Sequence, residues 1–166
     1  MAYTKQVKGA AILNNAFSNA FTYGDGQPLC STAHPLITGG TNANRPSVGV
    51  DLNETSLEAA IIAMANWTDE RGLLIAAQPK KLVLPPALDF IAERILKTQQ
   101  RVGTNDNDIN ALRSKSSIPQ GYSVNHFLTD PNAWFLITDV PNGLKHFVRT
   151  KIETKMDADF NTGNMR

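Results

Sequence analysis

The chain has little of what secreted, disulfide-rich or membrane-spanning proteins depend on. It contains one cysteine, Cys30, which excludes a disulfide within the chain and fits synthesis in a reducing cytoplasm. No apolar run approaches the ~20 residues that a transmembrane helix requires, and the polar beginning of the sequence does not resemble a secretory signal. We therefore expect no association with a membrane.

The chain also lacks an excess of charge of either sign. The 16 lysine and arginine residues balance 15 aspartate and glutamate residues, which leaves a formal net charge of +1. The basic residues between Arg94 and Lys115 are separated by acids and amides, so they form no stripe with interleaved aromatic residues. This charge pattern argues against strong binding to nucleic acid.

The 166 residues suffice for about one domain, and a hydrophobic content of 42% is ordinary for a globular protein. The N-terminal part predicts a long helix over residues 3–21. Its apolar residues, which recur every three or four positions, are Val7, Ala10, Leu13, Phe17 and Phe21. In the sequence that follows, we expect Gly24 to take the left-handed conformation that ends the helix.

The next predicted helix follows a connection over residues 27–49, which is rich in proline and glycine and holds short strands at most. Thr55 and Glu58 have the spacing of a capping box, and apolar residues follow on one face. We expect this second helix to end near Gly72.

Two apolar runs, residues 73–76 and 82–84, are predicted to be buried strands. Pro86 is acceptable in a first helical turn and predicts the start of a third helix. The composition then turns polar over residues 98–117, which predicts an exposed or mobile loop of the kind that often has a binding role.

The C-terminal part reads as strands. Residues 134–138 predict one strand, Pro141, Asn142 and Gly143 a turn, and residues 147–156 a strand pair with alternating character. With the helices before them, these segments indicate an α+β protein whose first helix lies against its last strands.

A candidate nucleophilic pair consists of Cys30 and His34, which are four positions apart. Catalysis would also need an orienting acid or amide and oxyanion donors, which spacing alone does not locate. The simpler interpretation makes Cys30 a small buried apolar residue and His34, before Pro35, a turn residue.

Metal and cofactor motifs are incomplete. A zinc site would need more ligands than Cys30 and His34, and only the distant His126 and His146 are available. The sequence from Asp106 begins like a calcium loop but lacks the glycine and the final glutamate, and the glycines at 24 and 26 lack the third glycine of a dinucleotide fingerprint. We expect no catalytic, cofactor-binding or metal-binding residues.

Trp67 and Trp134 are candidates for the centre of a partner interface, because large aromatic residues are enriched there. In a domain of this size, such residues more often belong to the core, and we expect both to be core residues.

Several motifs in order resemble the major capsid proteins of tailed bacteriophages, specifically the Mu-type major head subunit. They are the glycine-rich turn and His-Pro within residues 24–35, a helix like residues 56–66, the Leu-Val-Leu-Pro-Pro of residues 82–86, a helix like residues 87–96, and the terminal segments 149–153 and 159–164. The resemblance implies the Hong Kong 97 capsid fold, with a long spine helix, a central α/β axial domain and peripheral antiparallel strands.

In that arrangement, residues 1–23 would form the spine helix of the peripheral domain. Residues 24–132 would form the axial domain with its turn, two helices and polar loop, and residues 133–166 the strands that return to the peripheral domain. The N-terminal arm and extended hairpin loop that precede the spine helix in the family have no counterpart in this sequence, so the resemblance does not imply covalent cross-linking of subunits.

The function implied by the resemblance is structural: a virion protein, made in the cytoplasm of a host bacterium, that self-assembles through pentamers and hexamers into an icosahedral shell. Packaged DNA would be enclosed without specific binding, and scaffolding, portal or decoration proteins are further candidate partners. Two alternatives stay open: a small Cys/His hydrolase that uses Cys30 and His34, and an adaptor module that binds another protein through the 98–117 loop.

Overall fold

A small mixed sheet organises the α+β fold of this protein. The computed structural model describes residues 2–101, 108–141 and 143. In chain order, its helices are α1 (Ala2–Leu13), α2 (Glu54–Ala65), α3 (Asp89–Lys97) and α4 (Ala111–Ser114), and its strands are β1 (His34–Pro35), β2 (Thr41–Asn42), β3 (Pro79–Leu84), β4 (Tyr122–Val124) and β5 (Phe135–Thr138).

Strand β3 is the centre of a three-stranded sheet in the order β4-β3-β5. It pairs in parallel with β4, with Leu82 opposite Tyr122, and antiparallel with β5, with Leu82 opposite Leu136. The predicted strand over residues 82–84 is confirmed, and it begins earlier, at Pro79. β1 and β2 form a separate antiparallel pair of two residues each, in line with the short strands expected in the connection.

The core lies where the helices cover β3. Leu82 and Leu84 of β3 and Leu57 of α2 have no exposed surface. The other members of this buried cluster are Leu52, Leu88, Ala92, Leu112 and Ile118. Truncating a leucine buried to this degree to alanine costs about 2–5 kcal/mol, so these contacts account for much of the stability of the domain.

Helix α1 ends at Leu13, so the prediction of a helix through Phe21 is wrong in its second half. The Asn14 side chain turns away to the 127–129 segment, where Nδ2 donates to the Phe127 carbonyl (3.0 Å) and Oδ1 accepts from the Thr129 N–H (3.1 Å). Beyond it the backbone forms tighter turns, such as the Ala16 N–H to Leu13 carbonyl bond of 3.1 Å. These hydrogen bonds stabilise the end of the helix at Leu13.

The turn after this segment uses a different glycine from the expected one. Gly26 has the positive φ of 75°, whereas Gly24 is not among the positive-φ glycines. The Tyr23 N–H donates to the Gln27 carbonyl (2.9 Å), and Asp25 Oδ1 accepts from the Gln27 N–H (3.1 Å). The left-handed residue therefore lies inside the turn, where only glycine adopts it without strain.

Helix α2 begins two residues earlier than its predicted capping box. The N-cap is Asn53, whose side chain accepts from the Ser56 N–H (2.8 Å), while Ser56 Oγ accepts from the Asn53 N–H (3.0 Å). The helix ends at Ala65 rather than near Gly72, with Asn66 as its C-cap. Thr55 and Glu58 lie within the helix instead of forming its cap.

Residues 73–76 do not form the predicted buried strand. All four are exposed, and only Leu74 takes part in an isolated bridge, with Thr68. The prediction of a third helix at Pro86 is confirmed: a 3-10 turn over Pro86–Leu88 leads into α3, with proline in the first turn.

The 98–117 segment is only partly an exposed loop. Residues 102–107 lie outside the described residues, but Gln100 and Ile109 pair on either side of them, and the following residues enter the core. Asn110 is 2% exposed and Leu112 is 4% exposed. Polar composition misled the prediction here, because the buried Asn110 has its hydrogen-bonding groups satisfied by the protein.

The predicted strand over residues 134–138 is confirmed as β5. Phe135 in this strand stacks on Phe17, which follows α1, at a ring-centre distance of 5.7 Å. Of the remaining expectations, Asn142 in the predicted turn and the strand pair over residues 147–156 lie outside the described residues.

Replacing Asn110 tests how the 98–117 segment is held against α3. Its Nδ2 donates to the Ile95 carbonyl at the end of α3 (2.7 Å) and its Oδ1 accepts from the Arg113 N–H in the first turn of α4 (3.3 Å). We expect Asn110→Ala to lower the free energy of unfolding by about 2 kcal/mol, measured by urea denaturation. Asn110→Asp should cost more, because a carboxylate would face the Ile95 carbonyl.

The control is Asn66→Ala, at an exposed asparagine whose side chain makes no hydrogen bond among the described residues. Its effect should stay within about 0.5 kcal/mol. An Asn110→Asp variant as stable as the wild type would contradict the assigned role of the amide.

Candidate functional site

The loop from Asp25 to Arg45 holds the two residues predicted as a nucleophilic pair. The Cys30 N–H donates to the Ala16 carbonyl (2.8 Å), and the neighbouring Ser31 N–H donates to Asn44 Oδ1 (2.8 Å). Asn44 Nδ2 in turn donates to the Leu29 carbonyl (2.7 Å). These bonds fix Cys30 between the end of the N-terminal segment and the residues after β2.

The Cys30 thiol has low nucleophilic reactivity in this environment. Burial raises the pKa of Cys30 to about 11, and the positive charge of Arg45 opposes this only in part. The thiol is therefore protonated near neutral pH, whereas a nucleophilic cysteine needs a lowered pKa. No hydrogen bond joins Cys30 to His34 among the described residues.

His34 pairs with Asp25 instead. Its Nδ1 lies 2.5 Å from Asp25 Oδ2, and this hydrogen bond, together with the bond from the Gln27 N–H, lowers the pKa of Asp25. His34 Nε2 is buried and has no hydrogen-bond partner in the described part of the chain. An acid-histidine pair activates a nucleophile through that second nitrogen, so this pair lacks the third member of a triad.

The contact between Asp25 and His34 has a structural consequence. It connects the 23–27 turn to β1, because His34 begins that strand and lies opposite Asn42 in β2. His34 is therefore a strand residue rather than the predicted turn residue.

The candidate metal ligands do not converge within residues 2–101, 108–141 and 143. There, no group of three or more histidine, cysteine, aspartate or glutamate side chains could hold a metal ion. His126 is exposed, and His146 and Asp106 lie outside these residues. In the calcium-like segment, the Asn110 side chain is committed to the Ile95 carbonyl.

A groove of about 520 Å³ lies between the N-terminus of α2 and the C-terminus of α3. Its volume would suit a small ligand. Its polar side chains already bond within the protein: Glu54 Oε2 lies 3.1 Å from Arg101 Nε, Asn53 caps α2, and Asn110 bonds to Ile95 and Thr98. Among the residues that the structure describes, the groove therefore offers no set of free polar groups directed at one ligand.

The two tryptophans differ from each other. Trp134 packs against the core cluster, and its Nε1 donates to the Val50 carbonyl (3.0 Å). Trp67 is half-buried and is not part of that cluster. Trp134 is also only half-buried, so neither tryptophan is a fully buried core residue, although Trp134 contacts the core cluster as expected.

The chain presents many large apolar side chains to its surroundings. Ile37 is 87% exposed, Phe90 79% and Leu74 67%. Others with more than a third of their surface exposed include Tyr3, Phe21, Val48, Ile62, Leu73 and Ile109. Single exposed apolar residues are common, but contiguous patches on a monomer usually mark an interaction surface. The surface therefore resembles that of a protein with several neighbours.

One such patch belongs to a hairpin that sequence reasoning missed. The chain reverses after α2, so that the Asp69 N–H donates to the Leu73 carbonyl (2.8 Å) and the Ile75 N–H to the Trp67 carbonyl (3.0 Å). The sequence signal for this hairpin was Asp69 followed by Gly72. An aspartate that accepts backbone hydrogen bonds favours a turn, and a glycine permits a positive φ. We call residues 67–75 the 67–75 hairpin.

A family model for phage capsid proteins matches residues 2–166 of this chain. The chain belongs to the phage capsid protein family. No curated protein and no solved structure matches it. Family membership supports a structural role for this capsid protein, places it in the virion and implies assembly into a multimeric shell. The exposed apolar surface agrees with such a role.

The described residues of the capsid protein include no helix that is both long and apolar enough to cross a membrane.

The reactivity of Cys30 tests the assigned chemistry. Because its pKa lies near 11 rather than at the ordinary 9.0, its thiolate fraction at pH 7.5 should be about 100-fold below that of the unfolded chain. We expect alkylation by iodoacetamide to be slower by at least that factor than in urea, and to rise about tenfold per pH unit until near pH 11.

Cys30→Ser is the control, since it removes the only thiol. A native chain alkylated at pH 7.5 as fast as the unfolded chain would reverse the assignment and revive the hydrolase alternative.

Proposed function

We propose that this capsid protein is the major head subunit of a tailed bacteriophage, of the Mu-type group with the Hong Kong 97 fold. Copies of the chain self-assemble through pentamers and hexamers into an icosahedral shell that encloses the phage DNA. The observation that carries the proposal is the family match over residues 2–166. The ordered motifs from the 24–35 turn to the Leu-Pro-Pro at the end of β3 support the specific group.

The domain division belongs to the same proposal. Residues 1–23 contribute to the peripheral domain, residues 24–132 form the axial domain, and residues 133–166 return to the periphery. The stacking of Phe17 on Phe135 supports this division, because it joins residues 1–23 to residues 133–166. Asn14 also bonds to Phe127 and Thr129, which lie near the end of the axial segment. These contacts bring the first and last parts of the described chain together.

Charge supports enclosure of DNA without a tight grip. A formal net charge of +1 gives the subunit no strong attraction to a polyanion, so a shell of such subunits can confine DNA and still release it. Scaffolding, portal or decoration proteins are proposed as further partners, and synthesis is proposed to occur in the cytoplasm of the bacterial host. No catalytic, cofactor-binding or metal-binding residue is assigned.

The two rival functions make different predictions. A Cys/His hydrolase needs a reactive Cys30, which the raised pKa of that thiol disfavours. An adaptor module that binds through the 98–117 segment would form a discrete complex with another protein instead of a polymer of itself. Burial of Asn110 and Leu112 removes these two residues from such a binding surface, whereas Ile109 and residues 113–116 stay exposed.

The state of assembly tests the proposal directly. We expect the purified full chain to form particles far heavier than its 18.1 kDa monomer when its concentration is raised, because a shell subunit associates through repeated interfaces. Light scattering coupled to size exclusion gives the mass, and negative-stain electron microscopy of the heavy fraction should show rings or closed shells. A strictly monomeric chain at every concentration would contradict the proposal.

The 98–117 segment is proposed to lie near the centre of each ring. Replacing residues 102–107 by Asn-Gly, between the paired Gln100 and Ile109, should leave the subunit folded because the pairing and the core residues are kept. We expect weaker ring formation at an unchanged midpoint of thermal unfolding, measured by light scattering and circular dichroism.

A second variant with residues 102–107 in scrambled order separates the effect of length from that of sequence. Ring formation equal to that of the wild type in the shortened variant would remove this segment from the interface.

A further inference from the structure

The 67–75 hairpin is held firmly in place although it projects from the domain. Asp69 Oδ1 accepts from the N–H groups of Arg71 (2.8 Å) and Leu73 (2.9 Å), and Gly72 adopts a φ of 81° at the tip. Thr38 Oγ1, in a neighbouring turn, donates to the Glu70 carbonyl (3.0 Å). Local polar contacts thus fix the hairpin without burying its apolar side chains.

The aliphatic side chains of the hairpin and of the neighbouring turn are exposed. Leu73 is 64% exposed, Leu74 67% and Ile75 43%, and Ile37 in the turn bonded to the tip is 87% exposed. Full burial of one such side chain contributes about 1.5–3 kcal/mol. Burial of these side chains against a partner would therefore contribute a large favourable free energy.

The backbone beside these side chains is also unpaired. Thr68 and Leu74 face each other between the two hydrogen bonds of the hairpin, so their own N–H and C=O groups point outward. None of these groups has a hydrogen-bond partner within the described ranges. Exposed strand edges are normally protected by charge or proline, and the sequence from Gly72 to Ala76 has neither.

The charges at the tip favour an identical partner. Glu70 and Arg71 are adjacent, exposed and opposite in sign, and neither forms an ion pair among the described residues. The same two residues on another copy are complementary to them, whereas a surface of one sign would match only one of the two. The aliphatic edge itself carries no charge, so identical copies meet there without repulsion.

We propose that the 67–75 hairpin, together with Ile37, is a contact surface between two copies of this capsid protein. This inference rests on the proposed function, because shell formation surrounds each subunit with further copies. In the shell, the second copy covers Leu73, Leu74 and Ile75 and supplies partners for the outward backbone groups.

The first test is Leu74→Asp, which places a charge in the contact but changes an exposed residue. We expect the subunit to fold normally by circular dichroism and to need at least a tenfold higher concentration to assemble, measured by light scattering. Ser47→Asp is the matched control: Ser47 is exposed, polar and outside the hairpin, and this variant should assemble as the wild type does.

The outcomes separate the two proposals. If the wild type assembles and Leu74→Asp assembles equally well, the hairpin contact is overturned and the capsid function stands. If the wild type itself never assembles, the proposed function fails and the hairpin contact fails with it.

A second experiment identifies what covers the hairpin. Thr68→Cys places a reactive thiol opposite Leu74, and a benzophenone maleimide attached there at pH 7 can cross-link its neighbour under light. The wild type, whose Cys30 is half-buried, is the labelling control. Cross-linked dimers of the chain in assembled particles would support the proposal. Cross-links confined to one chain, to residues 144–166 for example, would overturn it.

Discussion

Everything described in this subunit depends on the burial of strand β3. Leu82 and Leu84 are fully buried, and the same strand supplies the hydrogen bonds for both of its neighbours, β4 on one side and β5 on the other. Leu57 of α2 and Ala92 of α3 cover it. Because one strand carries both the sheet and the core, the surface elements are free to vary without loss of the fold, which suits a protein whose outer faces must match other subunits.

Prediction from sequence worked where an apolar pattern is satisfied by the same chain, as in β3, α3 and β5. It failed at residues 73–76, because an apolar run does not reveal whether its cover is internal or belongs to another molecule. The end of α1 was missed since the partners of Asn14 lie at residues 127–129. Thr55 and Glu58 fit the sequence pattern of a capping box, but the N-cap is Asn53, and tertiary position decides which residue begins the helix.

In the candidate site, too, the sequence predicted local features but not contacts between distant residues. Four residues separate Cys30 from His34 in the sequence, yet the imidazole contacts Asp25 and the thiol lies against the end of the N-terminal segment. Spacing identified residues with chemical potential but not their partners. The family match adds a reason why the described residues of the groove between α2 and α3 present no convergent polar groups. A shell subunit acts through extended surfaces, and its polar residues mostly hold its own loops in place.

The contacts of α1 also order the events of synthesis. Gln6 of α1 bonds to Asn125, 119 positions away, and Asn14, directly after the helix, bonds to Phe127 and Thr129, which are 113 and 115 positions away. A ribosome completes the helix long before it makes the residues to which the helix docks. Docking of the helix in this way therefore requires that the chain has been made as far as Thr129, six residues before β5 begins at Phe135. A nascent chain that stops short of Asn125 has none of these docking partners.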